Sequence, residues 1–317
     1  MERGRVLFTK FLKGECLSRP PFVPLIQRLM AKVGGMPLQT LTSDPTLWAN
    51  CLLKTVGLFN FDGVVVGFDF SLVAEACGCE ITWEDDRPIM GTLSPGLFEK
   101  PEESGRIKYA LETAKRVFGV CGNDRACVAA LTGPVTLANQ LYGQEEGPKH
   151  IGDVKQLAVR VIEAFCQTRP DMLIFMEGPT FALTEVNLAH RRVYNTIRNI
   201  VGYYNIPVAL YLQGYRPQNL DQFFSLNMDI CILGPSMDRS LCSLSELWNL
   251  SAGVLGIGIS LPLNDLEKAK EIIDEAIGLY RTKGGHGFFL TSFDDMVSDV
   301  NLEMLHQLTK EIYQVCL

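Results

Sequence analysis

Histidine is scarce. The 317-residue chain has four, scattered at positions 150, 190, 286 and 306, which leaves little for a histidine-rich metal cluster. No run of about 18 apolar residues occurs, so no membrane span is expected. The opening MERGRVLFTKFLKG has no long apolar stretch followed by a small-residue cleavage site, so no signal peptide is expected. Basic clusters are also missing. With 29 Lys and Arg against 36 Asp and Glu, the net charge of −7 argues against binding a nucleic-acid backbone. The ten cysteines include no C-x-x-C pair, and Cys51, Cys77, Cys121, Cys166 and Cys231 lie inside apolar segments. They read as small buried hydrophobes in a reducing compartment, which makes the expected location cytoplasmic. With no internal repeat, low-complexity tract or linker, residues 1–317 read as a single domain.

What is present is apolar runs of strand length alternating with amphipathic stretches. The runs are 22–26, 63–68, 128–133, 172–177, 207–212, 230–234, 255–260 and 287–291. Eight of them, apolar without strict alternation, suit parallel strands covered on both faces, and the fold expected is α/β, a single (β/α)8 TIM barrel. Helices are clearest in PEESGRIKYALETAKRVFG, GDVKQLAVRVIEAFCQT, LTEVNLAHRRVYNTIRNIVGYY and NDLEKAKEIIDEAIGLYRTKGG. The last has a cap signal at Asn264/Asp265 and a stop at Gly284-Gly285. Residues 87–101 and 143–150 read as long loops of the kind that cover binding sites.

A barrel gathers its chemistry at the C-terminal ends of its strands. The stretch FDGVVVGFDF carries a buried valine run straight into Asp69, and MLIFMEGPT does the same into Glu177. A carboxylate in such a place must be paired, solvated or used. Asp69 and Glu177 are therefore the candidate catalytic residues, with Glu177 also the best oxygen ligand for a metal. Asn139, Gln140, Tyr211, Gln213, Arg216, Asp238, Ser292 and Phe293 fall at or just beyond strand ends and are candidates for substrate binding.

The stretches FDGVVVGFDFSLVAEACGCEI, ALTGPVTLANQLYG, LGIGISLP and GHGFFLTSF resemble the uroporphyrinogen decarboxylase superfamily along nearly the whole chain. The resemblance implies a (β/α)8 barrel with an active-site aspartate at Asp69. It implies one of two activities: decarboxylation of a tetrapyrrole, or methyl transfer to or from a corrinoid (cobalamin) on a partner carrier protein, usually with zinc. It also suggests a homodimer.

The departures bear on that choice. Where the decarboxylases have a glutamine-alanine-glycine-arginine-tyrosine loop whose arginines bind carboxylates, this chain reads PLIQRLMAKVGGM, with Arg28 and Lys32 alone. A substrate with eight carboxylates needs more cationic complementarity than that. Gln140 stands where they have tyrosine and Ser292 where they have histidine. The methyltransferase zinc signature, histidine-x-cysteine, reads Tyr211-x-Gln213, and its third thiolate falls near Ser292. Similar corrinoid methyltransferases that act on phenyl methyl ethers hold zinc with carboxylates and a histidine, and that resemblance would make Glu177, Glu185 and His190 the candidates here.

The expected function is transfer of a methyl group from a small methylated substrate, with a phenyl methyl ether as best guess, to the corrinoid of a carrier protein. The alternatives are a decarboxylase acting on a substrate other than uroporphyrinogen, and a non-catalytic ligand-binding barrel.

Overall fold

The computed structural model describes residues 2–93, 100–283, 287–295 and 300–317. In chain order its strands are β1 (Gly63–Val66), β2 (Cys79–Glu84), β3 (Arg87–Leu93), β4 (Ala126–Thr132), β5 (Met172–Glu177), β6 (Val208–Leu212), β7 (Ile230–Leu233), β8 (Gly256–Leu261) and β9 (Gly287–Ser292). Seven of them form one parallel sheet in the order β1-β4-β5-β6-β7-β8-β9, while β2 and β3 pair with each other as an antiparallel hairpin. Helices connect consecutive strands, so the architecture is α/β and TIM-barrel-like.

The segment 22–26 is not the first barrel strand that its sequence suggests. Phe22 alone bridges to Leu290 of β9. Val23 N–H donates to Leu290 O at 2.8 Å, Leu290 N–H to Pro21 O at 2.8 Å, and Asp62 N–H, just ahead of β1, to Phe22 O at 3.0 Å. Pro20, Pro21 and Pro24 have no N–H to give, so a regular ladder cannot extend through this stretch. A side chain adds to these backbone bonds. Leu25 N–H donates to Ser292 Oγ at 2.8 Å, and that hydroxyl donates back to Leu25 O at 3.3 Å.

Strand alternation divides the core into two layers. Val65, Val128, Ile174, Tyr211, Ile232 and Phe289 point into the interior of the curled sheet, where Phe8 and Phe11 of helix Gly4–Leu12 join them. Their neighbours Val64, Val66, Leu173, Phe175, Leu210 and Leu290 face outward onto the helices. This period of two decides where each strand-end residue points.

Helix Leu266–Lys283 starts as its sequence suggests, with Asp265 accepting from Lys268 N–H at 3.0 Å. The stop at Gly284-Gly285 lies outside the described residues, as does His286. Of the two expected loops, 87–93 is a hairpin strand. Most of 143–150 is helical, because Pro134–Glu146 continues through a kink at Gly143 into a short 3-10 turn. Among the described residues no helix is long and apolar enough to cross a membrane.

Candidate active site

A cleft of about 820 Å³ opens where the sheet strands end at their C-termini. Its wall takes Phe68 to Ser71 from beyond β1, Gln213 from beyond β6, Met237 and Arg239 from beyond β7, and Asp294 and Asp295 from beyond β9. The β2–β3 hairpin adds Pro88, Ile89 and Met90, and helix Gln27–Gly34 adds Arg28.

Asp69 lies in this wall. Gly67 makes the turn that brings it there, with φ of +88° and an Ala130 carbonyl 2.6 Å from where a Cβ would sit. Asp69 Oδ1 accepts from Ser71 N–H at 2.8 Å and from Ser71 Oγ at 2.6 Å, and Oδ2 accepts from Arg106 Nη1 at 2.7 Å. The Arg106 guanidinium also donates to Ser71 Oγ at 2.7 Å and to Glu75 at 2.6 Å, and lies 4.9 Å from the Trp83 ring centre on the hairpin. A buried aspartate thus has a buried arginine, and three hydrogen bonds hold its carboxylate in one orientation.

Glu177 does not face the cleft. In β5 it shares the outward parity of Leu173 and Phe175, and it is fully buried between the sheet and helix Pro134–Glu146. There it accepts from Val135 N–H at 3.1 Å and Thr136 N–H at 2.8 Å, and from the hydroxyls of Thr136 and Tyr194. The two N–H groups are donors left over in the helix's first turn, so the carboxylate caps the helix. Gly133 makes the approach possible, since a Cβ there would sit 2.2 Å from Glu177 Oε1. Burial pushes this carboxyl up to about 7 despite those four donors. The expectation that it points into the barrel mouth is corrected by strand alternation.

The remaining candidates divide. Gln213 lines the cleft, and Ser292 and Phe293 line a smaller adjoining space of about 110 Å³ that shares Arg239, Asp294 and Asp295 with it. Tyr211 is fully buried beneath the cleft, edge-on to Phe68, its hydroxyl 3.4 Å from Phe293 O. Gln140 is tied through Nε2 to Phe70 O at 3.1 Å; Asn139 beside it lines no part of the cleft. Arg216 is exposed outside it. Asp238 accepts from Ser236 Oγ, Ser240 Oγ and Ser240 N–H, which closes its own turn and holds its carboxyl down at about 2.

Two residues at the cleft were not anticipated, Arg106 behind Asp69 and Asp295 in the wall, whereas Arg28 is one of the two cations the sequence offered after its first apolar run. Between Asp69 and Arg106 lie a short helix and the β2–β3 hairpin, and no spacing links the two. Arg28 keeps its Nε buried with no hydrogen-bond partner among the described residues. Asp295 accepts from Arg28 N–H at 3.1 and 3.2 Å in the first turn of helix Gln27–Gly34. Burial pushes the Asp295 carboxyl up to about 8 against the pull of that N–H, and the charge of Asp294 adds to the rise. Its place just past the last strand was the readable signal.

The donor set does not suit zinc. Tyr211 and Gln213 replace the expected ligands, and His190 is committed to a capping box with Asn187. Among the described residues no three His, Cys, Asp or Glu side chains converge as a metal would require.

Residues 4–174 match the family model for uroporphyrinogen decarboxylase (URO-D). A uroporphyrinogen decarboxylase from Phenylobacterium zucineum (strain HLK1) is 29% identical over 143 residues, which cover 41% of this chain and 41% of that protein's length. In fold, a methyltransferase from Methanosarcina mazei superposes with a TM-score of 0.80 at 18% identity, covering 99% of this chain and all of that one. A putative vitamin-B12 independent methionine synthase from Listeria monocytogenes reaches 0.51 at 11% identity, over 93% of this chain and 95% of its own. With more than half of its residues matched by the family model, the chain belongs to the uroporphyrinogen decarboxylase family.

Proposed function

We propose that this protein is a methyltransferase that takes a methyl group from a small methylated substrate in the cleft and delivers it to the corrinoid of a separate carrier protein. The observation that carries the reading is the composition of the cleft wall. Its cations, Arg28, Arg87 and Arg239, are offset by Asp69, Asp86 and Asp294, and much of the rest is apolar, including Phe68, Phe70 and Met237. Such a wall opposes a molecule with eight carboxylates and suits a small aromatic such as a phenyl methyl ether. The shared fold with the Methanosarcina mazei methyltransferase supports the same reading. Ile89, Met90, Leu183 and Met237, all lining the cleft, are exposed apolar side chains that a docked carrier would cover.

An ether oxygen is a poor leaving group and needs a proton as the methyl departs. Asp295 is placed to give it, because a carboxyl raised to about 8 keeps its proton at neutral pH and lines the cleft. Asp69 orients the substrate as an acceptor. Gln213 binds a substrate oxygen atom. Zinc has no part in this scheme.

The test is a screen of methylated aromatics with a cobalt(I) corrinoid carrier. Asp295→Asn should lower turnover by about 10²–10⁴ with little change in KM. A wild-type rate in that variant removes Asp295 as the acid. Conversion of uroporphyrinogen to coproporphyrinogen by the purified protein would overturn the methyl-transfer reading in favour of the decarboxylase chemistry of its relatives.

A further inference from the structure

The cysteines read from the sequence as inert fillers of the core, and two of them do not fit that description. Cys121 is the last residue of helix Ile107–Cys121, and Cys127 is the second residue of β4. The connection between them folds straight back. Asp124 N–H and Arg125 N–H both donate to Cys121 O, at 3.0 and 2.9 Å, and Ala126 N–H donates to Asp62 O at 2.8 Å as the strand begins. This turn sets the two thiols side by side in hydrogen-bond contact. Cys127 Sγ also lies 3.7 Å from where a Cβ on Gly122, the residue after Cys121, would sit. The pair is packed between helix and sheet at the start of β4, whereas the cleft opens where the strands end.

Their surroundings make the two sulfurs unequal. The Cys127 thiol donates to the Cys121 sulfur and holds Cys121 below the usual thiol range, with help from the charge of Arg125 and against burial and the charge of Asp171. The same bond, and then burial, push Cys127 upward. As a thiol Cys121 donates to Val117 O at 3.0 Å, a bond it gives up on ionising. Cys77, Cys166 and Cys231 have no such neighbour to favour the thiolate, and burial pushes each of them up to about 12. A thiolate is the attacking species in exchange with disulfides, and a second thiol beside it can resolve the product. Cys121 is only 5% exposed, but Val120 before it is 68% exposed, so opening the last turn of the helix uncovers the sulfur.

We propose that Cys121 and Cys127 are a redox-active dithiol, converted to a disulfide by a low-molecular-weight disulfide such as oxidised glutathione. The Cys121 thiolate attacks one sulfur of the oxidant, whose S–S bond breaks and releases one small thiolate. Cys127 then gives up its proton and attacks the Cys121 sulfur, and the second small thiolate leaves. Two electrons pass from the pair to the oxidant, which takes up the two cysteine protons and ends as two thiols. The site uses no residue of the cleft and stands apart from the methyl-transfer reading.

The test incubates the reduced full chain with oxidised glutathione, blocks remaining thiols with N-ethylmaleimide and digests with trypsin. Cleavage after Arg116, Arg125 and Lys149 puts Cys121 and Cys127 in separate peptides, 117–125 and 126–149, with no other cysteine in either. Those two peptides should appear joined by a bond that reductant breaks, about tenfold more abundant than any other linked pair. Cys127→Ser should abolish the link and leave glutathione on Cys121, while Cys121→Ser should leave Cys127 unmodified. Glutathione on the exposed Cys16 and Cys316 with no joined peptides would overturn the proposal. So would a link that forms only in urea, or glutathione on Cys127 in Cys121→Ser. The peptide map of the unaltered chain needs no variant, so the proposal stays open to refutation even if a serine variant does not fold.

Discussion

Arg106 and Asp69 come from distant parts of the chain and meet with side chains 6% and 3% exposed, so their pairing, with Glu75 and Ser71 beside it, keeps both charged out of water. Replacing Arg106 with Met should destabilise the protein by about 3–5 kcal/mol, the usual cost of stranding a buried charge. The double variant with Asp69→Asn should lose clearly less than the two single variants added together. Urea denaturation of the four proteins measures that coupling, and additive losses would mean that the pair does not hold together. Asp69 was legible in the sequence because it ends a valine run. Arg106 was not, because nothing local marks it. Glu177 was found in the right place and pointed the wrong way. Counting by twos from Leu173 and Phe175 turns it toward the helices, a step the sequence already permitted.

At the scale of elements, the proline-rich segment 20–26 shows where the sequence reading stopped short. Its apolar run suggested a strand, while its prolines argued against a ladder, and the structure follows the prolines. Attachment rests on three backbone hydrogen bonds around Phe22 and on the contact of Ser292 with both backbone groups of Leu25. Ser292→Ala leaves the Leu25 N–H without that partner and should lower stability by about 1–3 kcal/mol. Hydrogen exchange at Val23 and Leu25 should quicken more than at β4 or β5. Uniform quickening across the sheet would show that the serine contributes to general packing only. The hairpin was missed for a different reason: its strand begins inside a stretch rich in Gly and Pro, which composition alone assigns to a loop.

For the molecule as a whole, two carboxyls held above their ordinary range, the buried Glu177 and the half-buried Asp295, give stability a definite pH slope. Glu177 is raised from 4.5 to about 7, and Asp295 from 3.8 to about 8. Between those limits the unfolded chain has released protons that the folded chain still holds, so this stability is fully present only below the ordinary values of 3.8 and 4.5 and declines as pH rises toward 8. Glu177 alone accounts for a loss on the order of 3 kcal/mol. Thermal unfolding should therefore give a higher Tm at pH 5.5 than at pH 8, with a shallower slope in Glu177→Gln. That variant also sets an amide donor against the N–H groups of Val135 and Thr136, and so starts from a lower stability. A Tm that climbs from pH 5.5 to pH 8 would refute the account.

The meeting of Leu25 with Ser292 also has a kinetic side. These residues are 267 positions apart, whereas β1 and β4 pair over roughly 60. Two doublings of loop length add only ~1.2 kcal/mol of closure entropy, a small charge against the finished fold. On the way to it, however, contacts of such long range form late. Until they do, β1 and β9 are both open edges, and open edges recruit other chains. The proline segment thus works as a gate on self-association: a chain that folds its seven strands quickly but joins Phe22 to Leu290 slowly spends that interval able to pair with its neighbours. Refolding yield should consequently fall with protein concentration, and fall faster in Ser292→Ala, well before native stability is exhausted.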